Sequence, residues 1–133
     1  DHRILTRYNP KDFSQAFYGI LHEAGHGIYD QGLRPDQYGL PSGAPISLGI
    51  HESQSRLWEN MVGRSLAFWE FFHPVAQEHF PDQLGQYSPK QMYDGVNVVR
   101  PSLIRVEADE ATYNLHIAIR FDLEKALIEG TFK

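Results

Sequence analysis

An all-α fold, mainly helical with minor β content, is predicted by three features of the 133-residue sequence. Apolar residues recur at three- and four-residue spacing through long segments. Alternation is confined to short stretches. Helix start and stop residues flank the periodic segments. Taken in order, residues 1–8 (DHRILTRY) set Ile4 and Thr6 against Leu5 and Arg7, the alternation of a short strand. Asn9-Pro10 then signals a helix entry, with proline tolerated in the first turn. Phe13, Phe17, Ile20, Leu21, Ala24 and Ile28 form the apolar face of the helix that follows, and Gly32 is placed to end it.

Residues 32–49 hold four glycines and three prolines without periodicity, the mark of a functional or disordered loop. A second helix is predicted over 52–72, with Leu57, Met61, Leu66, Phe68, Trp69 and Phe72 on its apolar face and Pro74 closing it. Ser88-Pro89-Lys90-Gln91 resembles a capping box with proline at the first helical position, opening a short third helix. Residues 101–106 read as a short strand or extended segment. The final helix is predicted over 108–129, with Leu115, Ile119, Leu123 and Leu127 on one face and Gly130 as its stop.

The bulk composition removes several function classes. A net charge of -5 lacks the clustered basic face of a nucleic-acid binder. No apolar run approaches the roughly 20 residues needed to span a bilayer, so neither nucleic acid nor membrane is expected as a partner. The absence of cysteine excludes disulfide frameworks, thiolate metal sites and a cysteine nucleophile, and it fits a reducing, cytoplasmic setting. The chain opens on Asp1 and stops at Lys133 just after a helix-end signal, so a fragment of a longer protein is expected.

The chemistry concentrates in ILHEAGHGIYDQG, residues 20–32. On a helix, His22 and His26 lie about 40° apart on one face, one turn from each other. Both imidazoles can then reach one metal ion at roughly 2.0–2.1 Å and fill two tetrahedral corners. Glu23 is turned about 100° from His22, too far round for the same contact but placed to act as general base on a water at the ion's open position. A structural histidine pair is the bland alternative, but two imidazoles beside an apolar helix face are costly to bury without partners. A catalytic ion needs a third protein ligand. His51 or Glu52 can supply it from His51-Glu52-Ser53-Gln54; Glu59 and Glu70 are secondary candidates further down the same helix. Spacing alone does not choose, since a carboxylate at a helix start is also favoured by the helix dipole. Asp30, four residues after His26, is placed to accept that ring's second N–H, or to end the helix in solvent.

Three motifs in order, HEAGH at 22–26, HESQ at 51–54 and IRVEAD at 104–109, resemble the signature set of the Taq-type metallocarboxypeptidases. Asp1-His2-Arg3 is similar to the start of that family's D-x-R-x-T motif, with Leu5 in place of its threonine and Thr6 following. The family's G-x-x-Q-D-x-H-W motif has no counterpart in the chain. The resemblance implies that Glu52 is the third metal ligand beside His22 and His26, and that the ion is zinc, with cobalt as a possible substitute. It implies removal of single residues from peptide C-termini with broad tolerance but poor acceptance of a C-terminal proline. It also implies a homodimer, and a helical, zincin-like fold with a deep groove, similar to angiotensin-converting enzyme and neurolysin. Within that frame the chain is a catalytic zinc-peptidase segment covering residues 1–133, expected to show little activity by itself.

A carboxypeptidase must hold a free α-carboxylate, and a guanidinium offers an always-charged, bidentate fork for it. Arg105 is the first candidate, with a structural salt bridge to Glu107 or Asp109 as its alternative; Arg3 is a rival for the same task. Asp109 is equally suited to capping the final helix. Tyr93 and Tyr113 are possible carbonyl polarisers, but more ordinarily core or interface residues. Other function classes remain: a metal-binding but inactive module, a helical interaction domain in which the trio is accidental, and an endopeptidase with the same metal site but no carboxylate fork.

Overall fold

The computed structural model describes residues 3–132 and is helical, with no strand among the described residues. It divides into two compact units, Asp1–Val96 and Asn97–Lys133. The first holds α1 (Ser14–Gln31), α2 (Leu48–Arg56), α3 (Leu66–His79), the short α4 (Pro81–Leu84) and α5 (Pro89–Val96); the second holds α6 (Glu110–Ile128). None of these helices is long and apolar enough to cross a membrane.

The β content is where expectation and structure part. Asp1 and His2 lie outside the described residues, and positions 3–8 form no strand; an isolated bridge between Asn9 and Asp12 is all that follows. Without a neighbouring strand among the described residues, the alternating stretch at 3–8 has no ladder to join. Asn9-Pro10 forms a turn rather than the helix start: the Asp12 N–H donates to the Asn9 carbonyl at 3.1 Å. The Asp12 carboxylate then accepts from both the N–H and the hydroxyl of Ser14, at 2.9 and 2.6 Å, at the mouth of α1. These bonds hold the Asp12 carboxyl below the usual aspartate range. α1 stops before Gly32, as expected.

The loop contains two single 3₁₀ turns, Pro35–Gln37 and Pro41–Gly43. The second helix begins four residues earlier than the periodicity indicates, because Ser47 caps it: its hydroxyl accepts from the Ile50 N–H at 3.2 Å, a contact worth about 1 kcal/mol. The helix is also not continuous. After Arg56 it widens into a π-helical stretch, Leu57–Val62, closed by the Gly63 N–H reaching back five residues to the Trp58 carbonyl at 2.9 Å. Ser65 then caps α3, its hydroxyl accepting from the Phe68 N–H at 3.1 Å.

Pro74 does not close the helix; α3 runs through it to His79. The carbonyl deprived of its bond belongs to Glu70, on a solvent-facing side shared by Phe71 (77% exposed) and Val75, where water can replace the missing donor. α5 starts as the capping box indicates, with Ser88 and Gln91 bonding each other's backbone N–H at 2.9 and 3.2 Å. The core of this unit is aromatic. Phe17 packs among Phe13, Phe68, Trp69 and Phe72 at centroid distances of 5.1 to 6.1 Å, and Trp69 is fully buried. Tyr18 lies beside it; burial pushes its phenol up to about 12, so it stays neutral and donates to the Gly63 carbonyl. That contact ties α1 to the end of the π stretch.

In the second unit, 101–106 is not a strand. The segment bends into a 3₁₀ turn at Arg105–Glu107, and Asp109 caps α6. Gly130, at φ 69°, takes up the left-handed conformation that ends that helix. The expected apolar face of α6 is present, but Leu115, Ile119, Leu123 and Leu127 are exposed.

Candidate metal centre

The site is built where α1 crosses α2. Along the second element, Glu52, Ser55, Arg56 and Glu59 follow at three- and four-residue spacing and so share a face. α1 presents His22, Gly25 and His26 by the same rule. The crossing point is Gly25 over Ser55. Gly25 is buried and Ser55 fully so, and a Cβ on Gly25 would stand 2.6 Å from both the Gln54 carbonyl oxygen and the Ser55 Cα. Glycine is therefore what lets the two backbones approach this closely.

That approach brings the functional ends together. Ligand atoms of His22, His26 and Glu52 lie within 4.8 Å of one another. The His22 Nε2 is 3.6 Å from Glu52 Oε1 and the His26 Nε2 is 3.3 Å from Glu52 Oε2. Two imidazole nitrogens and a carboxylate oxygen, all partly exposed, are a donor set suited to zinc or cobalt. Glu23 lies outside the trio on an exposed part of α1, as its rotation from His22 requires.

His51 is not grouped with these ligand atoms. Its Nδ1 lies 2.6 Å from the Nδ1 of His26, on the ring edge away from Glu52, and its Nε2 lies 3.0 Å from Asp30 Oδ1. Asp30 thus meets His51, not His26 as its spacing on α1 indicates, because the α2 imidazole occupies the space between them. Glu59 is no ligand candidate either. It sits 2.7 Å from the Nδ1 of His22 and is only 17% exposed. A carboxylate accepts only, so this contact puts the hydrogen on Nδ1 and leaves the Nε2 lone pair pointing at Glu52. Glu70 is exposed on α3 and stands apart from the cluster.

Arg56 is a residue that sequence reasoning missed. Its guanidinium reaches Glu52 Oε1 at 3.5 Å and Glu59 Oε2 at 3.1 Å, bridging the two carboxylates of the site. The signal was available: an arginine four residues after one glutamate and three before the next.

Arg105 belongs to the second unit. It makes no salt bridge with Glu107 or Asp109 among the described residues; its guanidinium donates to the Tyr113 hydroxyl at 2.6 Å. Asp109 takes the capping role, accepting from the Thr112 N–H at 2.9 Å and the Arg100 N–H at 3.0 Å. The Arg100 bond leads the causes that hold its carboxyl low. Arg3 is exposed.

The chain is similar to known proteins along its whole length. Residues 1–133 match the family described as Carboxypeptidase Taq (M32) metallopeptidase. Thermostable carboxypeptidase 1 of Thermus thermophilus is 56% identical over 130 residues, covering 98% of this chain and 25% of that protein. Its namesake in Pyrococcus furiosus is 44% identical over 135 residues, covering 100% of the chain and 26% of that protein. The solved M32 carboxypeptidase of Deinococcus radiodurans superposes with a TM-score of 0.91 at 49% identity, over 96% of this chain and 26% of that one. The chain spans about a quarter of the length of these curated relatives.

Proposed function

Because the chain belongs to the carboxypeptidase Taq (M32) metallopeptidase family, we propose that its α1–α2 centre is the metal site of a zinc carboxypeptidase that removes the C-terminal residue of peptides with broad tolerance. The observation carrying this reading is the convergence of His22, His26 and Glu52 on one point. These three residues would hold the ion, and the free Nε2 of His22, fixed by Glu59, fits that task. When bound, a divalent ion polarises the scissile carbonyl and makes a nearby water more acidic.

Glu23 moves the proton. Its carboxylate accepts one from the attacking water as the new C–O bond forms, then delivers it to the leaving amine as the C–N bond breaks. Arg56 keeps Glu52 and Glu59 from repelling each other across the site. Arg105 is assigned to the substrate's free α-carboxylate; Tyr113 orients its guanidinium through one hydrogen bond. Arg3 is the second candidate for that contact. Zinc with cobalt as a substitute and a homodimer, both resting on the family resemblance, complete the reading, together with a cytoplasmic setting that rests on the absence of cysteine.

The test uses a chain extended to the length of the relatives, since the segment alone is expected to show little activity, and compares a free-ended peptide with the same peptide amidated at its C-terminus. Release of amino acids from the free-ended peptide alone is expected, and Arg105→Ala should raise KM for it roughly ten-fold or more, the loss of a charge-assisted contact. Equal turnover of the two peptides by the unaltered protein would favour an endopeptidase and remove the carboxylate clamp.

A further inference from the structure

The two histidines of the centre are supported unequally. On His22 a carboxylate meets Nδ1 directly. On His26 the neighbour at Nδ1 is another imidazole, and two ring nitrogens facing each other at 2.6 Å can bond only if one carries hydrogen and the other a lone pair. Which way round it is decides whether His26 can bind a cation. If His51 donated, His26 would carry its hydrogen on Nε2 and its lone pair would face away from Glu52.

We infer that His51 is a positioning residue which, anchored by Asp30, fixes His26 in the tautomer able to hold the ion; this rests on the metal site proposed above. The links follow from one another for neutral imidazoles. Asp30 is acceptor-only, so the His51 Nε2, 3.0 Å away, carries the hydrogen. In the neutral imidazole the His51 Nδ1 is then bare and accepts from Nδ1–H of His26. The His26 Nε2 is left with its lone pair beside Glu52, 3.3 Å from Oε2. Tyr29 packs edge-on against His51 at a centroid distance of 5.0 Å, which limits rotation of the ring. Histidine ligands are ordinarily held in this way by a carboxylate or carbonyl on the second nitrogen; here an imidazole is interposed and the carboxylate stands one ring further out.

The test uses the protein loaded with Zn²⁺, its affinity measured by competition with a chelator. An asparagine oxygen falls where the His51 Nδ1 stands, whereas a glutamine amide falls where Nε2 stands. His51→Gln therefore loses the acceptor for His26 and should weaken zinc binding roughly ten- to a hundred-fold. His51→Asn keeps that acceptor and should stay within a few-fold of the unaltered protein. Long-range ¹H–¹⁵N spectra of the unaltered zinc-loaded protein should place the His51 hydrogen on Nε2 and that of His26 on Nδ1, a readout independent of any variant's folding. Equal affinity for His51→Gln and the unaltered protein, equal losses for Gln and Asn, or a hydrogen on the His51 Nδ1 would overturn the inference while leaving the metal site standing. Failure of the unaltered protein to bind zinc would remove both.

Discussion

Glu23→Gln is expected to keep its metal and to lose peptide hydrolysis by roughly 10²–10⁴-fold, the usual contribution of a positioned general base. The amide preserves size and shape but cannot take a proton from water. Structural side effects are small. Glutamate and glutamine have similar helix propensities, and Glu23 is exposed, outside the trio formed by His22, His26 and Glu52. Zinc content and kcat measured on the same preparation of a chain extended to the relatives' length separate the roles. Loss of zinc along with activity would make Glu23 a ligand; unchanged kcat would mean that another group accepts the proton.

Gly25→Ala should be as damaging although it touches no ligand. Two effects oppose each other. Alanine is favoured over glycine in a helix by about 1 kcal/mol, whereas overpacking a close contact costs about 1–3 kcal/mol. The contact wins, because the atoms 2.6 Å from the new Cβ are the Gln54 carbonyl oxygen and the Ser55 Cα. Both are backbone, so no side chain can turn aside and α2 itself must move. Glu52 moves with it, and a misplacement of about 1 Å at a catalytic centre costs on the order of 10²-fold in rate. A thermal melt, a zinc titration and a rate measurement on Gly25→Ala check this. Retention of full affinity and rate would show that Glu52 tolerates a wider helix spacing than the crossing suggests.

The parts of this centre that were legible from sequence are the local ones. The four-residue spacing of His22 and His26 needs nothing beyond helix geometry, and α1 and α6 followed from periodicity with their glycine stops. Glu52 could not be separated from His51 by spacing; which of two adjacent side chains faces α1 depends on how α2 lies against it. For the same reason Asp30 was matched to the wrong imidazole. The correct α1 face was identified, but the ring filling the gap comes from another helix. Pro74 and the residues at 3–8 misled in a different way. A proline ends a helix only where its lost hydrogen bond cannot be replaced, and an alternating pattern makes a strand only beside a partner. The early start of α2 was visible in Ser47 but hidden by the glycines and prolines around it. The π stretch that carries Glu59 leaves no mark in hydrophobic periodicity, so its support of His22 is visible only in the folded structure.

The central claim is that His22, His26 and Glu52 together hold one divalent ion. It is tested most directly by equilibrium dialysis against zinc for the unaltered protein and for His22→Ala, His26→Ala and Glu52→Ala, with folding checked by circular dichroism. The account predicts one zinc per chain in the unaltered protein and loss of stoichiometric binding in each folded variant. Full zinc retention by a folded His22→Ala, His26→Ala or Glu52→Ala protein would contradict it.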